Sequence, residues 1–189
     1  MKLVQSGYDV VFAQYSAPAA AALDAGLQSD AYTAALHDVD QAIGTLQAAI
    51  AQRRAANPGE DWLVVVTTSH GLDVTGATTS APTLENRTAF IALNKTANPV
   101  LGKDGTAAPT SEATLAALPS EADIVPTVLA QLNAAVPAAT HKLDGAALTA
   151  NAVGVRNLQS TVGQYNASLV LTWQNPTTAS GPILSLIHI

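Results

Sequence analysis

The run YDVVFAQY, Tyr8 to Tyr15, sets β-branched and aromatic residues close together and predicts a short buried strand. The alanine-rich SAPAAAALDAGLQS that comes next holds Pro18 and Gly26 and reads as a loop carrying a helical turn. From Asp30 onward the pattern changes. Leu36, Val39, Ile43, Leu46 and Ile50 recur at steps of three and four, which is the spacing of one helix face. Ser29 or Asp30 can cap that helix, and Asn57, Pro58 and Gly59 supply its break beyond Arg54. DWLVVVTT, Asp61 to Thr68, is apolar on both faces, as in a parallel strand covered by helices. A loop of Gly, Thr, Ser and Pro runs from Ser69 to Leu84, and RTAFIALN, Arg87 to Asn94, predicts a third strand. Strand, helix, strand, loop, strand is the order of a doubly wound α/β sheet with parallel strands. After a polar loop from Lys95 to Pro119, SEADIVPTVLAQLNAAV predicts a further helix. There Ser120 and Asp123 form a capping pair, and Pro126 still falls in the first turns.

Beyond HKLDGAAL the alternation becomes that of strands. VGVRNLQ, YNASLVLTW and QNPTTASGP mix apolar and polar positions with turn formers, as in the first strands of a β-sandwich module cut short before closure. The composition shift puts a domain boundary near Ala150 to Gly154, giving one α/β domain over 1–150 and the sandwich start over 151–183. The last six residues, LSLIHI at 184–189, resemble the translation of a sequencing-library adapter and are set aside from the fold. Met1 lies only a few residues before an expected buried strand, so the chain reads as starting inside a larger protein.

Composition narrows the chemistry. Of 189 residues 48% are hydrophobic, yet only 4% are aromatic, so the core has to be packed by Ala, Val, Leu and Ile. Net charge is −6, and no basic cluster exceeds Gln52 to Arg54, which argues against nucleic acid as a partner. The absence of cysteine excludes disulfides, zinc–thiolate sites and thiol nucleophiles. No apolar run reaches the length of a membrane span, and MKLVQSGYDVVF lacks the apolar core of a signal peptide.

The polar loop TTSHGLDVTGATTS, Thr67 to Ser80, leaves the end of an apolar strand and carries His70, a common way to build a metal site. Three stretches in order resemble the alkaline phosphatase superfamily, in particular its type I phosphodiesterase/nucleotide pyrophosphatase-like branch. Tyr8 to Ile50 is similar to that family's strand, metal loop and helix, with "VD..IG" at Val39 to Gly44. EDWLVVVTTSHG, Glu60 to Gly71, resembles the strand ending in Thr-Asp-His-Gly. ADIVPTVLAQLNAAVPAATHKLDGAAL, Ala122 to Leu148, resembles the closing helix "D-I-x-P-T-x-L" and the "L-D-G" segment, and LENRTAFIAL fits the strand between them. The resemblance implies part of a three-layer α/β/α domain. It also implies a family activity, hydrolysis of phosphate mono- or diesters by a Thr or Ser nucleophile between two divalent metals, commonly zinc.

Carried over one by one, the ligand positions fare poorly. The Asp and His of the first loop fall on Ala19 and Leu23; sliding the register to Asp24 leaves Gln28 where the His belongs. In the second loop the Asp falls on Ser69, while His70 and Gly71 match, and the last His falls on Thr79. The nucleophile and first Asp ligand are expected upstream of Met1. Of five ligand positions only His70 is retained, and catalytic zinc draws on three protein ligands. The resemblance therefore implies a phosphoesterase-like scaffold that has lost catalysis and takes no metal cofactor. Its persistence is expected as a binding or spacer module of an exported, multidomain surface protein. The alternative is an active phosphodiesterase in which Asp24 and Asp73 act as shifted ligands beside His70.

Other polar residues carry weaker signals. Asp38 and Asp40 lie two apart and face different sides of their helix, so solvent exposure is the default. His37 and His141 have no carboxylate at telling spacing, and Asp144 before Gly145 reads as a turn residue. NRT, NKT and NAS match the glycosylation sequon, a pattern short enough to arise by chance. Ser69 and the hydroxyls at Thr78 to Ser80 lack the elbow motif of a serine nucleophile.

Overall fold

The structure is a computed structural model, and it describes residues 2–73, 83–97, 107–116, 118–134, 143–149, 156–162 and 169–174. The chain divides into two compact units, Met1–Lys95 and Thr96–Ile189. The expected boundary near Ala150 to Gly154 falls inside the second unit, at residues outside those described, as does the tail at 184–189.

The first unit is organised by its long helix. Helix α1 spans Lys2–Gln5, α2 Ala17–Ala25 and α3 Asp30–Ala56, and both short helices pack against α3. Ser29 is the N-cap of α3: its backbone is extended, and its hydroxyl oxygen accepts from the Tyr32 N–H at 3.1 Å. Asp30 in the first turn and Arg53 and Arg54 in the last each lie at the end of the helix dipole that favours their charge. The helix stops where Asn57 turns its own N–H and its side-chain amide onto the Arg53 carbonyl. The packing faces are small. Val4, Ala22 and Ala49 are the buried apolar residues of this unit among those described, while Val39, Ile43, Leu46 and Ile50 are half-buried and Leu36 is exposed.

Two expectations change here. Residues 17–25 form a nine-residue helix where a loop carrying a single helical turn was expected. An unbroken run of strong helix formers outweighs the missing amphipathic stripe, with Pro18 tolerated in the first turn and Gly26, at φ 89°, closing the helix. Tyr8 to Tyr15, expected as a buried strand, belongs to no helix or strand. Strand propensity is a preference for a pleated, half-buried surface, and it has no effect without a neighbouring strand to supply that surface.

Strand β1, Val65–Thr67, pairs with β2, Ile91–Leu93, in the register Val65↔Leu93, Val66↔Ala92, Thr67↔Ile91. The pairing is antiparallel, where the sequence pattern pointed to parallel strands. A parallel pair needs a crossover, usually a helix, and the described part of the connection holds only the single turn α4, Leu84–Arg87. Asn94 fixes the end of the pair: its side chain accepts from the Val64 N–H at 2.7 Å and donates to the Trp62 carbonyl at 2.9 Å.

In the second unit, α5 spans Glu112–Ala116, and a 3-10 turn, Glu121–Asp123, leads into α6, Ile124–Gln131. The Asp123 carboxylate accepts from the Ser120 N–H at 2.7 Å, the capping contact expected from the sequence. Strands β3, Arg156–Val162, and β4, Leu169–Gln174, pair antiparallel with a register shift between Arg156 and Gln159.

Candidate functional site

Gly71 anchors the loop that leaves β1. Its N–H donates to the Asn86 carbonyl at 3.0 Å, and a Cβ on it would meet the backbone oxygens of Glu85 at 2.1 Å and Thr88 at 2.5 Å. Only glycine lets the chain pass so close to α4. That turn is itself held by Thr83 and the buried Asn86, whose side chain accepts from the Thr83 hydroxyl at 3.1 Å while the Asn86 N–H donates back at 3.2 Å.

His70 sits one residue before Gly71 and is exposed. Its Nδ1 lies 2.8 Å from the Gly71 carbonyl, which can only accept, so Nδ1 carries the hydrogen and donates. A neutral imidazole in that tautomer keeps Nε2 as its one nitrogen with a lone pair, hence one atom able to hold a cation. Ser69, beside it, is exposed and offers a hydroxyl in place of a carboxylate. Ala19 and Leu23 lie on α2 with both side chains exposed, Leu23 at 60%. Thr79, with the hydroxyl cluster Thr78 to Ser80, lies outside the described residues, as does His141.

The shifted-ligand arrangement does not assemble. Asp24 is an exposed residue near the end of α2, and Asp73 is half-buried two residues beyond Gly71. Among the described residues, which include Asp24, His70 and Asp73, no three His, Asp or Glu side chains form a group able to hold a metal ion. Among the described residues, one imidazole with alanine, leucine and serine at the positions compared is not a donor set for two divalent cations. His37, Asp38 and Asp40 are exposed on α3, and Asp144 is exposed ahead of Gly145.

Two clusters away from the expected ligand positions are better built. The first joins α1, the end of α3 and the approach to β1. Arg53 grips Glu60 with two nitrogens, Nε to Oε2 at 2.7 Å and Nη2 to Oε1 at 2.5 Å, and its Nη1 donates to the Val4 carbonyl at 3.1 Å. The Trp62 indole N–H donates to the same carboxylate at 2.8 Å, and the guanidinium lies 5.9 Å from the Trp62 ring centroid. The hydrogen bonds from Arg53, then from Trp62, lower the Glu60 carboxyl from 4.5 to about 2 against the opposing effect of desolvation, and the bond to Glu60 raises Arg53. Nearby, Lys95 pairs with Asp61.

The second cluster ties α6 to residues 143–149. Asp123 spends its second oxygen on the Ala146 N–H at 2.7 Å. Thr127 is fully buried; its hydroxyl donates to the Asp123 carbonyl at 2.6 Å and accepts from the Leu148 N–H at 2.8 Å. Gly145 passes so near the start of α6 that a Cβ would lie 2.1 Å from the Ala122 carbonyl oxygen. The sequence signal for this lock is the pair of segments D-I-x-P-T and L-D-G, and neither by itself points to these contacts.

No protein-family model, curated protein or solved structure matches this chain. No helix among the described residues is long and apolar enough to cross a membrane.

Proposed function

We propose that the chain is a degenerate alkaline-phosphatase-like module that has kept scaffold positions of the phosphoesterase family and lost its metal chemistry. It serves as a binding or spacer domain of an exported, multidomain protein. One contrast carries this reading. The positions shared with the family that have structural work to do, Gly71, Asp123, Thr127 and Gly145, each make a specific close contact. The described positions where the family places ligands, Ala19, Leu23, Ser69 and His70, are all exposed, and three of the four have no anionic or imidazole donor. Selection on the fold without selection on the metal keeps scaffold contacts and lets ligands go.

A turnover assay with a nitrophenyl phosphodiester and the corresponding monoester, with zinc supplied, tests the reading. The expected result is no hydrolysis above the uncatalysed rate. Zinc-dependent turnover that disappears in His70→Ala would establish an active phosphodiesterase and overturn it.

A further inference from the structure

We infer that residues 2–15 form a releasable strap, clasped to α3 by the Arg53 side chain, which opens as a unit while α3 and the β1–β2 pair stay folded. The strap would behave alike in an active phosphoesterase and in a module without metal chemistry.

The strap is held almost entirely at its start. Val4 is 2% exposed, whereas every other residue from Lys2 to Tyr15 is exposed save the half-buried Val11. Among the described residues, two hydrogen bonds join this stretch to the rest of the first unit. Arg53 Nη1 donates to the Val4 carbonyl at 3.1 Å, and the Gln5 side-chain amide donates to the Ala49 carbonyl at 3.3 Å. So little buried apolar surface and so few hydrogen bonds mark a segment that opens at far less cost than global unfolding.

Arg53 is built to be the clasp. The Val4 carbonyl lies in the last turn of α1, where helix carbonyls need an outside donor, and the guanidinium supplies a charge-assisted one. The guanidinium is planar and rigid, so Glu60, by gripping Nε and Nη2, aims Nη1 at Val4. Glu60 and Trp62 lie outside the strap. When the strap leaves, Arg53 keeps its ion pair and its place over the indole ring, and no buried charge is stranded. Helix α3 likewise keeps its Ser29 and Asn57 caps and its packing against α2.

Thiol labelling tests this, because the chain has no cysteine of its own and a single introduced one is the only reactive thiol. Val4→Cys places the thiol under the strap, and Ala22→Cys places one on the buried face of α2, which stays covered when the strap opens. Cysteine packs as a small hydrophobe, so both proteins should keep the parent's far-ultraviolet circular dichroism. The expected result is that Val4→Cys reacts at least tenfold faster than Ala22→Cys, at a rate that low urea hardly changes, as for an opening that exposes little surface. Adding Arg53→Lys keeps the charge beside Glu60 but removes the fork, and should speed Val4→Cys labelling about tenfold or more. Gln5→Ala, at an exposed position, removes the weaker neutral bond and should speed it a few-fold. Equal rates for the two thiols, rising together with urea, overturn the inference, since the strap then opens only with the whole unit. So does Arg53→Lys speeding Ala22→Cys but not Val4→Cys, since Arg53 then stabilises the unit without clasping the strap. Should Arg53→Lys fail to fold, the rate ratio of the two thiols and the Gln5→Ala effect decide: equal rates, or no change with Gln5→Ala, overturn it.

Discussion

Thr127 concentrates the consequences of a single side chain. Its hydroxyl is both donor to Asp123 and acceptor from the Leu148 N–H, with no water contact at all. Thr127→Val keeps the shape and removes both bonds, stranding a buried backbone donor. The expected loss is about 1–3 kcal/mol of unfolding free energy, read from urea denaturation, with Thr127→Ser recovering most of it. Gly71 and Gly145 test the other kind of constraint. Each faces backbone oxygen at 2.1 Å from a Cβ position, and a main-chain atom cannot rotate away. Gly71→Ala and Gly145→Ala should each cost about 1–3 kcal/mol in the same measurement, whereas Gly44→Ala, with open space around it on α3, should be neutral or stabilising.

Between elements, the Arg53, Glu60 and Trp62 cluster sets how the first unit responds to acid. The Glu60 carboxyl is held at about 2 in the folded chain, below its ordinary 4.5. A depressed carboxyl contributes stability that is fully present above the ordinary value and is lost as pH falls toward the folded one. The thermal midpoint should therefore drop between about pH 4.5 and 2, and Glu60→Gln should lower stability at neutral pH while flattening that acid slope. The same elements show what sequence can and cannot carry. Helix α3 was legible because its cap, stripe and break all lie in one local window. The capping contact of Ser120 and Asp123 was legible for the same reason. Helix α2 was missed because alanine gives propensity without periodicity. The orientation of β1 against β2 and the idle state of Tyr8 to Tyr15 were missed because pairing depends on residues far along the chain. The Asp123 and Thr127 lock spans more than twenty residues, and the apolar pattern carries no trace of its hydrogen bonds.

For the whole molecule, the ligand positions matter more than the layers around them. His70 could be picked out from its strand-end loop, but its 2.8 Å contact with the Gly71 carbonyl, and hence its tautomer, required coordinates. That Asp24, His70 and Asp73 do not gather into one group of three likewise depends on where α2 and the loop after β1 are placed, and no local pattern encodes that. A scaffold without its donor set should bind divalent cations no better than any acidic surface does. Calorimetric titration of the intact chain with zinc at neutral pH, repeated on His70→Ala, measures this directly. The expected result is weak, non-saturating heat that is the same for both proteins. Saturable, tight binding of zinc that His70→Ala abolishes would mean that a metal centre persists in this chain and would contradict the loss of metal chemistry proposed for it.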